Sequence, residues 1–177
     1  MRISPSPEID DPELTLRPIE LSDVEALFGF LSQPRVIEHT SWNITSIEDL
    51  RSLLESYNSD DLNSAIQFVI TQKSTNILIG IIGFHTISMI NRTAEIAYTL
   101  HPDYWNRGIA TNLCRSLVDW ALNSGRFVRI QATALNTNLA SARVLQKAGF
   151  ELEGTLRSFR IVRGKPRDFL VYSIISN

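Results

Sequence analysis

The segment Ile77–Ile87, ILIGIIGFHTI, constrains the fold more than any other stretch of the chain. From Ile77 to Phe84 its apolar residues are interrupted only by two glycines, so both parities of the run are apolar. Alternate side chains of a strand point to opposite faces, and a strand apolar on both needs cover on both sides. The run is far short of the ~20 residues that a membrane span requires. Ala65–Gln72 reads as a second strand, joined to it by the polar turn Lys73-Ser74-Thr75-Asn76. The Ile77–Ile87 run suits a central strand covered on both sides.

The remaining elements follow from periodicity and punctuation. Leu14–Arg17 reads as a first strand. Ser22 with Glu25 forms a capping-box pattern opening a helix whose apolar positions are Val24, Leu27, Phe28 and Leu31, and Pro34 ends it. Ser46 opens a second helix running to about Tyr57, with Leu50, Leu53 and Leu54 inward. Thr93–Leu100 is the fourth strand. Gly108–Ser124 is a third helix, closed by Gly125, and Asn138–Lys147 a fourth, closed by Gly149. Between them lies the strand Val128–Ala134, and Phe150–Val162 and Phe169–Ile175 form a final hairpin about Gly164-Lys165-Pro166. The expectation is an α/β (α+β) domain over residues 14–177, with about seven strands and four helices, preceded by a flexible arm at residues 1–13.

Composition narrows the function classes. A net charge of −2 argues against a nucleic-acid surface, which needs a marked basic excess. The N-terminal MRISPSPEIDDPE has no apolar core, so it is not a signal peptide, and no stretch suits a membrane. Cys114 is the one cysteine, which excludes an internal disulfide and suits a reducing cytoplasm; its helical face marks it as a small core residue. His39, His85 and His101 show no metal-ligand spacing with each other or with Cys114, so no metal is expected.

The chemistry is concentrated in Leu100–Thr111, LHPDYWNRGIAT. Pro102 stops the fourth strand, Gly108 permits close approach of a ligand to the backbone, and the helix that follows begins with free amides. Such a helix N-terminus suits an anion, a pyrophosphate in particular. Trp105, Asn106, Arg107, Gly108, Ile109 and Ala110 resemble motif A of the GNAT superfamily of N-acetyltransferases, Gln/Arg-x-x-Gly-x-Gly/Ala. Gly108 and Ala110 match, whereas Trp105 stands where Gln or Arg is usual. The Tyr104-Trp105 pair resembles the branch that acetylates ribosomal-protein N-termini. Asn138-Leu139-Ala140-Ser141, followed by Lys147-Ala148-Gly149-Phe150, is similar to that branch's Asn-x-x-Ser … Gly-Phe segment. Locally, Asn138 also reads as a helix cap and Gly149 as a helix stop. The tail from Gly149 to Ile175 is similar to the same branch.

The resemblance implies a mixed, mostly antiparallel twisted sheet splayed at strands four and five, and acetyl-coenzyme A (acetyl-CoA) as co-substrate. It implies acetyl transfer to a primary amine by direct attack in a ternary complex, with a protein N-terminal α-amine as the first reading. A small-molecule amine and a non-catalytic acyl-CoA sensor are the other two. Cofactor contacts are implied for Thr99 and Leu100, for Trp105 to Thr111 (Trp105, Asn106, Arg107, Gly108, Ile109, Ala110, Thr111), and for Asn138 and Ser141. Glu95 is the first candidate for a base, since burial beside an apolar core would raise its pKa; a solvated Glu95 is the other reading, and Glu38 and Asp103 are alternatives. Many family members place a thiolate-protonating Tyr where this chain has Leu145, which leaves Ser141 to donate a proton or merely to position the cofactor. His39 and Trp42 fall in a loop that walls the acceptor cleft in this superfamily, although Trp42 could also fill core. His85 reads as a core or cleft residue, and Asp168 as a hairpin or cleft residue. Homodimers are common in the branch.

Overall fold

The computed structural model describes residues 7–42, 44–57 and 61–176. Its sheet has seven strands: β1 (Leu14–Pro18), β2 (Ile66–Gln72), β3 (Leu78–Ser88), β4 (Thr93–Leu100), β5 (Arg129–Leu135), β6 (Glu151–Val162) and β7 (Lys165–Ile175). They lie in the order β1-β2-β3-β4-β5-β7-β6, antiparallel throughout except between β4 and β5. The two-sided apolar segment occupies β3, covered as its composition demands. Ile79, Ile82 and Phe84 are packed in one cluster with Leu113, Leu117 and Leu145, which belong to α4 (Ile109–Asn123) and α5 (Leu139–Lys147). Ile81 joins Val69 in a second cluster with Leu27, Phe30, Leu50 and Leu54, from α1 (Val24–Leu31) and α3 (Ile47–Ser56). The glycine of β3 at position 83 lets β2 close in, because a Cβ there would stand 2.1 Å from the carbonyl oxygen of Ile66.

Three local expectations need correction. Pro34 does not simply end a helix; it is the first residue of a further one-turn helix, α2 (Pro34–Ile37), with Gln33 as its cap, so the described residues hold five α-helices where four are expected. A proline is suited to that first position, where its missing N–H would have no partner. The capping box at the first helix is formed not by Ser22 and Glu25 but by Glu20 and Asp23 around a short 3-10 turn at Leu21–Asp23. Asp23 accepts the Glu20 amide at 2.9 Å and is gripped by both terminal nitrogens of Arg17 at 2.8 and 2.7 Å, a fork that Glu25 could not reproduce. Finally, β7 begins at Lys165, so Pro166 lies inside the hairpin, opposite Ile161.

Residues 1–6 of the expected arm lie outside the described residues. Residues 7–13 are seated on the sheet: Pro7 is buried, Ile9 packs on the larger core cluster, and Lys73 donates its amide to Glu13 O at 2.8 Å and its ammonium to Asp11 O at 2.9 Å. Among the described residues no helix is long and apolar enough to cross a membrane.

The feature that positions the site is the short seam between β4 and β5. Their ladder holds only from Thr93 opposite Arg129 to Glu95 opposite Gln131. Beyond it, β4 stays with β3 and β5 stays with β7, so the two strands part and each shows an unpaired edge to the gap. Unpaired edges of this kind offer backbone donors and acceptors to an extended guest.

Candidate active site

A cavity of about 560 Å³ fills the splay. Its walls are the end of β4 from Ile96 to Leu100, the end of β5 from Ala132 to Leu135, the start of α4, one face of α5, and the loop His39–Trp42. His39 and Trp42 line this cavity, and the His39 ring packs edge-to-face on Trp105, centroids 6.2 Å apart.

At the α4 end the backbone alternates in hand. Asn106 has φ 59° and Gly108, the cap of α4, has φ 77°. Trp105 donates its amide to Pro102 O at 3.1 Å, and Asn112 donates to Gly108 O at 3.1 Å. Among the described residues, the amides of Asn106, Arg107, Gly108, Ile109, Ala110 and Thr111, which all line the cavity, donate to no protein acceptor. Successive free amides around left-handed residues form a concave anion nest, reinforced here by the positive end of a 15-residue helix. The donor set fits a diphosphate. Trp105 serves this loop from behind: its indole N–H donates to Leu100 O at 2.9 Å and fastens the turn to the end of β4.

Thr99 and Leu100 differ in what they can offer. His101 donates its amide to Ile79 O at 2.7 Å, toward β3. Since peptide edges alternate along a strand, Thr99 also faces β3, while the Leu100 amide faces the gap.

At the α5 end Asn138 does two things. Its Oδ1 accepts the Ser141 amide at 3.0 Å, capping the helix, and its Nδ2 donates to His39 O at 2.9 Å, tying the cleft loop to α5. Ser141 Oγ lies 2.9 Å from the Tyr98 hydroxyl. Tyr98 reaches this face because it shares parity with Ile96 and Leu100 on β4, a placement readable from alternation that the sequence reading passed over. Burial pushes the Tyr98 phenol far above its usual range, so it stays protonated. Leu145 is a buried core residue, and the tyrosine hydroxyl beside α5 comes instead from β4.

Glu95 has a different environment from the one expected. It is buried, with its side chain only 6% exposed, and it does not line the cavity. Its carboxylate accepts from Thr133 Oγ1 at 2.7 Å, Arg160 Nη2 at 3.1 Å and Gln131 Nε2 at 3.2 Å, and His85 Nε2 lies 3.3 Å away. Burial by itself would raise its pKa, but the bonds from His85, Thr133 and Gln131 outweigh it and bring the group down to about 2. The expected raised pKa is therefore reversed, and a carboxylate this weakly basic is poorly suited to take a proton from an ammonium. Its geometry suits another task. The β4–β5 ladder ends at Glu95 and Gln131, and the side-chain bonds to Gln131 and Thr133 span the two strands where backbone pairing stops. Arg160, bonded to Glu95, also lies against the rings of Phe159 and Phe169, 5.0 and 5.3 Å from their centroids.

The alternative acids are turned to other partners or to solvent. Asp103 pairs with Arg35 at 3.3 Å and is exposed, and Glu38 is exposed at the end of α2. Asp168 belongs to the hairpin, accepting the amide of Ser158, a residue with φ 49°, at 2.8 Å. Cys114 is fully buried, and burial pushes its thiol well up, which fits a core residue and not a nucleophile. Among the described residues no group of three His, Cys, Asp or Glu is placed to hold a metal ion.

Comparison with known proteins agrees with this geometry. Residues 13–151 match the family model described as an acetyltransferase (GNAT) domain. An uncharacterized N-acetyltransferase of Bacillus subtilis (strain 168), YoaA, is 34% identical over 96% of this chain and 97% of its own. Among solved structures, the Microcin C7 self immunity acetyltransferase MccE, in complex with acetyl-CoA and AMP, superposes with a TM-score of 0.83 at 28% identity, covering 94% of each chain. The ribosomal L7/L12 α-N-protein acetyltransferase RimL superposes with a TM-score of 0.85 at 25% identity, covering 99% of this chain and 98% of that one.

Proposed function

The chain belongs to the GNAT acetyltransferase domain family and is an acetyl-CoA-dependent N-acetyltransferase; from that premise we propose that its acceptor is the α-amine of a protein N-terminus, acetylated by direct attack in a ternary complex in the cytoplasm. The observation that carries this reading is the second free edge of the splay. One edge, on β4, is available to the pantetheine arm of acetyl-CoA. The other, from Ala132 to Leu135 on β5, is paired to β7 on one side and open to the cavity on the other. An open strand edge recognises an extended backbone, which a peptide has and a polyamine lacks.

The proton balance points the same way. An α-amine has an ordinary pKa near 8, so a substantial fraction is already neutral at working pH, whereas an alkyl amine near 10 needs a far stronger base. Glu95 is held near 2 and offers no such base. The protein's own contributions are then geometric. Amides 106–111 grip the diphosphate, and the Leu100 amide faces the gap, where it would meet the oxygen of the developing tetrahedral centre. As the C–N bond forms and the C–S bond breaks, the nitrogen loses a proton and the thiolate gains one; Ser141, with its hydroxyl against Tyr98, would donate to the departing sulfur and take up the proton released by the nitrogen, so that its hydroxyl is restored.

A thiol-release assay tests the acceptor. Peptides with a free N-terminal amine should turn over, the same peptides with a blocked N-terminus and no lysine should not, and spermidine should be at least about tenfold poorer in kcat/KM. Spermidine or a lysine side chain matching the free N-terminus would overturn the reading.

Ser141→Ala separates two roles at one residue. The Asn138 cap survives, because it uses the backbone amide of residue 141. A proton donor acts only in the transition state, so kcat is expected to fall about tenfold with the KM for acetyl-CoA unchanged. A rise in that KM at full kcat would make Ser141 a positioning residue.

A further inference from the structure

We infer that this enzyme selects acceptors whose residues just beyond the reactive amine are acidic. The inference rests on the reading of the acceptor as a protein N-terminus and adds its charge. In a chain of net charge −2, the hairpin from Arg157 to Asp168 holds five basic residues and one acid. Arg160 is spent on Glu95, and the acid, Asp168, is occupied by the Ser158 amide. The other four, Arg157, Arg163, Lys165 and Arg167, are within ion-pair distance of no carboxylate among the described residues.

Two of the four are fixed at the cavity rim by bonds of their own. Arg163 Nη1 donates to Ile37 O at 2.9 Å and Thr40 O at 3.1 Å, and Thr40 lines the cavity beside His39 and Trp42. Arg167 Nη2 donates to Thr137 Oγ1 at 3.4 Å, one residue before cavity-lining Asn138. These three bonds consume neutral acceptors and leave both charges uncompensated. A guanidinium so anchored keeps N–H groups free to fork a carboxylate, at little further entropic cost. Opposing charge nearby is slight: Glu38 is exposed next to Ile37, and at Asp103 the charge is cancelled by Arg35. The hairpin tip is therefore a one-signed rim over the acceptor loop, which attracts a peptide acidic at its second and third positions and repels a polycation.

The test compares peptides that share an N-terminal serine and differ only in whether the next two residues are acidic, neutral amides or lysines. For the wild type at low salt, kcat/KM for the acidic peptide should exceed that for the lysine peptide by at least about tenfold. The ratio should collapse toward one at about 0.5 M salt, because rim charges are screened. Lys165→Glu combined with Arg167→Glu should reverse the order of the two peptides without raising the KM for acetyl-CoA. Equal rates, or a lysine preference, in the wild type overturn the inference while leaving the N-terminal reading intact; this arm needs no variant, so a misfolded double mutant does not remove the test. A raised acetyl-CoA KM with the peptide order unchanged would assign these cations to the cofactor and also overturn it. Acetylation of spermidine with no peptide turned over would overturn the N-terminal reading and this one together.

Discussion

Replacing Glu95 by Gln should lower stability by about 3 kcal/mol at neutral pH, with the deficit shrinking as pH falls from about 4.5 toward 2. The carboxyl drops from its ordinary 4.5 to about 2 in the folded protein, and each decade of such a difference is about 1.4 kcal/mol of preference for the ionised folded form. The sign follows from the depression. Above the unfolded pKa both states are ionised and the folded state keeps the full benefit of its donors. As pH falls through the folded pKa the native carboxylate must also take a proton, and the benefit is lost. In the variant the benefit is absent at every pH, and a Gln amide would set its own N–H groups against Thr133, Arg160 or His85. Urea-unfolding midpoints of both proteins across pH 2 to 7 measure this directly. A deficit constant over that range would show that packing, and not ionisation, accounts for it. The same variant separates clamp from base in catalysis. As the pin at the mouth of the splay, Glu95 should affect kcat/KM by one factor at all working pH values, since its carboxylate is ionised throughout. Loss of a limb of the pH–rate profile would restore it as a proton acceptor.

Gly108→Val should reduce affinity for acetyl-CoA at least about thirtyfold while costing only about 1–2 kcal/mol of stability. At φ 77° a β-branched residue is strained, by roughly that amount. Nothing stands within 4 Å of a Cβ built at this position, so no core contact is lost. Gly108 is itself a cavity-lining residue, so the added side chain would stand next to the amides of 106–111 in the chain. Relief of the strain would rotate φ and turn those amides away from a common centre. Charge-assisted hydrogen bonds contribute about 1.5–3 kcal/mol each, so the loss of even one approaches the stated fold-change. Calorimetric titration on the folded variant is the measurement. Unchanged affinity would move the diphosphate site away from this turn.

Much of the site depends on short-range chemistry and is legible in the sequence for that reason. The breaks at Pro102 and Gly108, the cap at Asn138 and the stops at Gly125 and Gly149 each follow from what one residue does to the few peptide units around it. The two-sided apolar run of β3 likewise foretells cover on both faces. Glu20 and Asp23 show the limit even there: two capping patterns overlap in sequence, and the choice went to the one that Arg17, across a turn, could complete.

Chain neighbours determined the breaks at Pro102 and Gly108, the cap at Asn138 and the free amides of the anion nest, because local backbone geometry decides where an N–H finds no partner. Tertiary structure decided the chemical character of the side chains around them. Burial raises a carboxylate and donors lower it, and the donors of Glu95 come from positions 85, 131, 133 and 160, on three other strands. The hydroxyl beside Ser141 comes from Tyr98, far back along the chain, and the last hairpin meets the loop at Ile37 and Thr40 only through the folded placement of Arg163. A pKa, a pair of hydrogen-bonded hydroxyls and a cluster of cations are set by distances of a few ångströms in space, and folding alone brings those distances about.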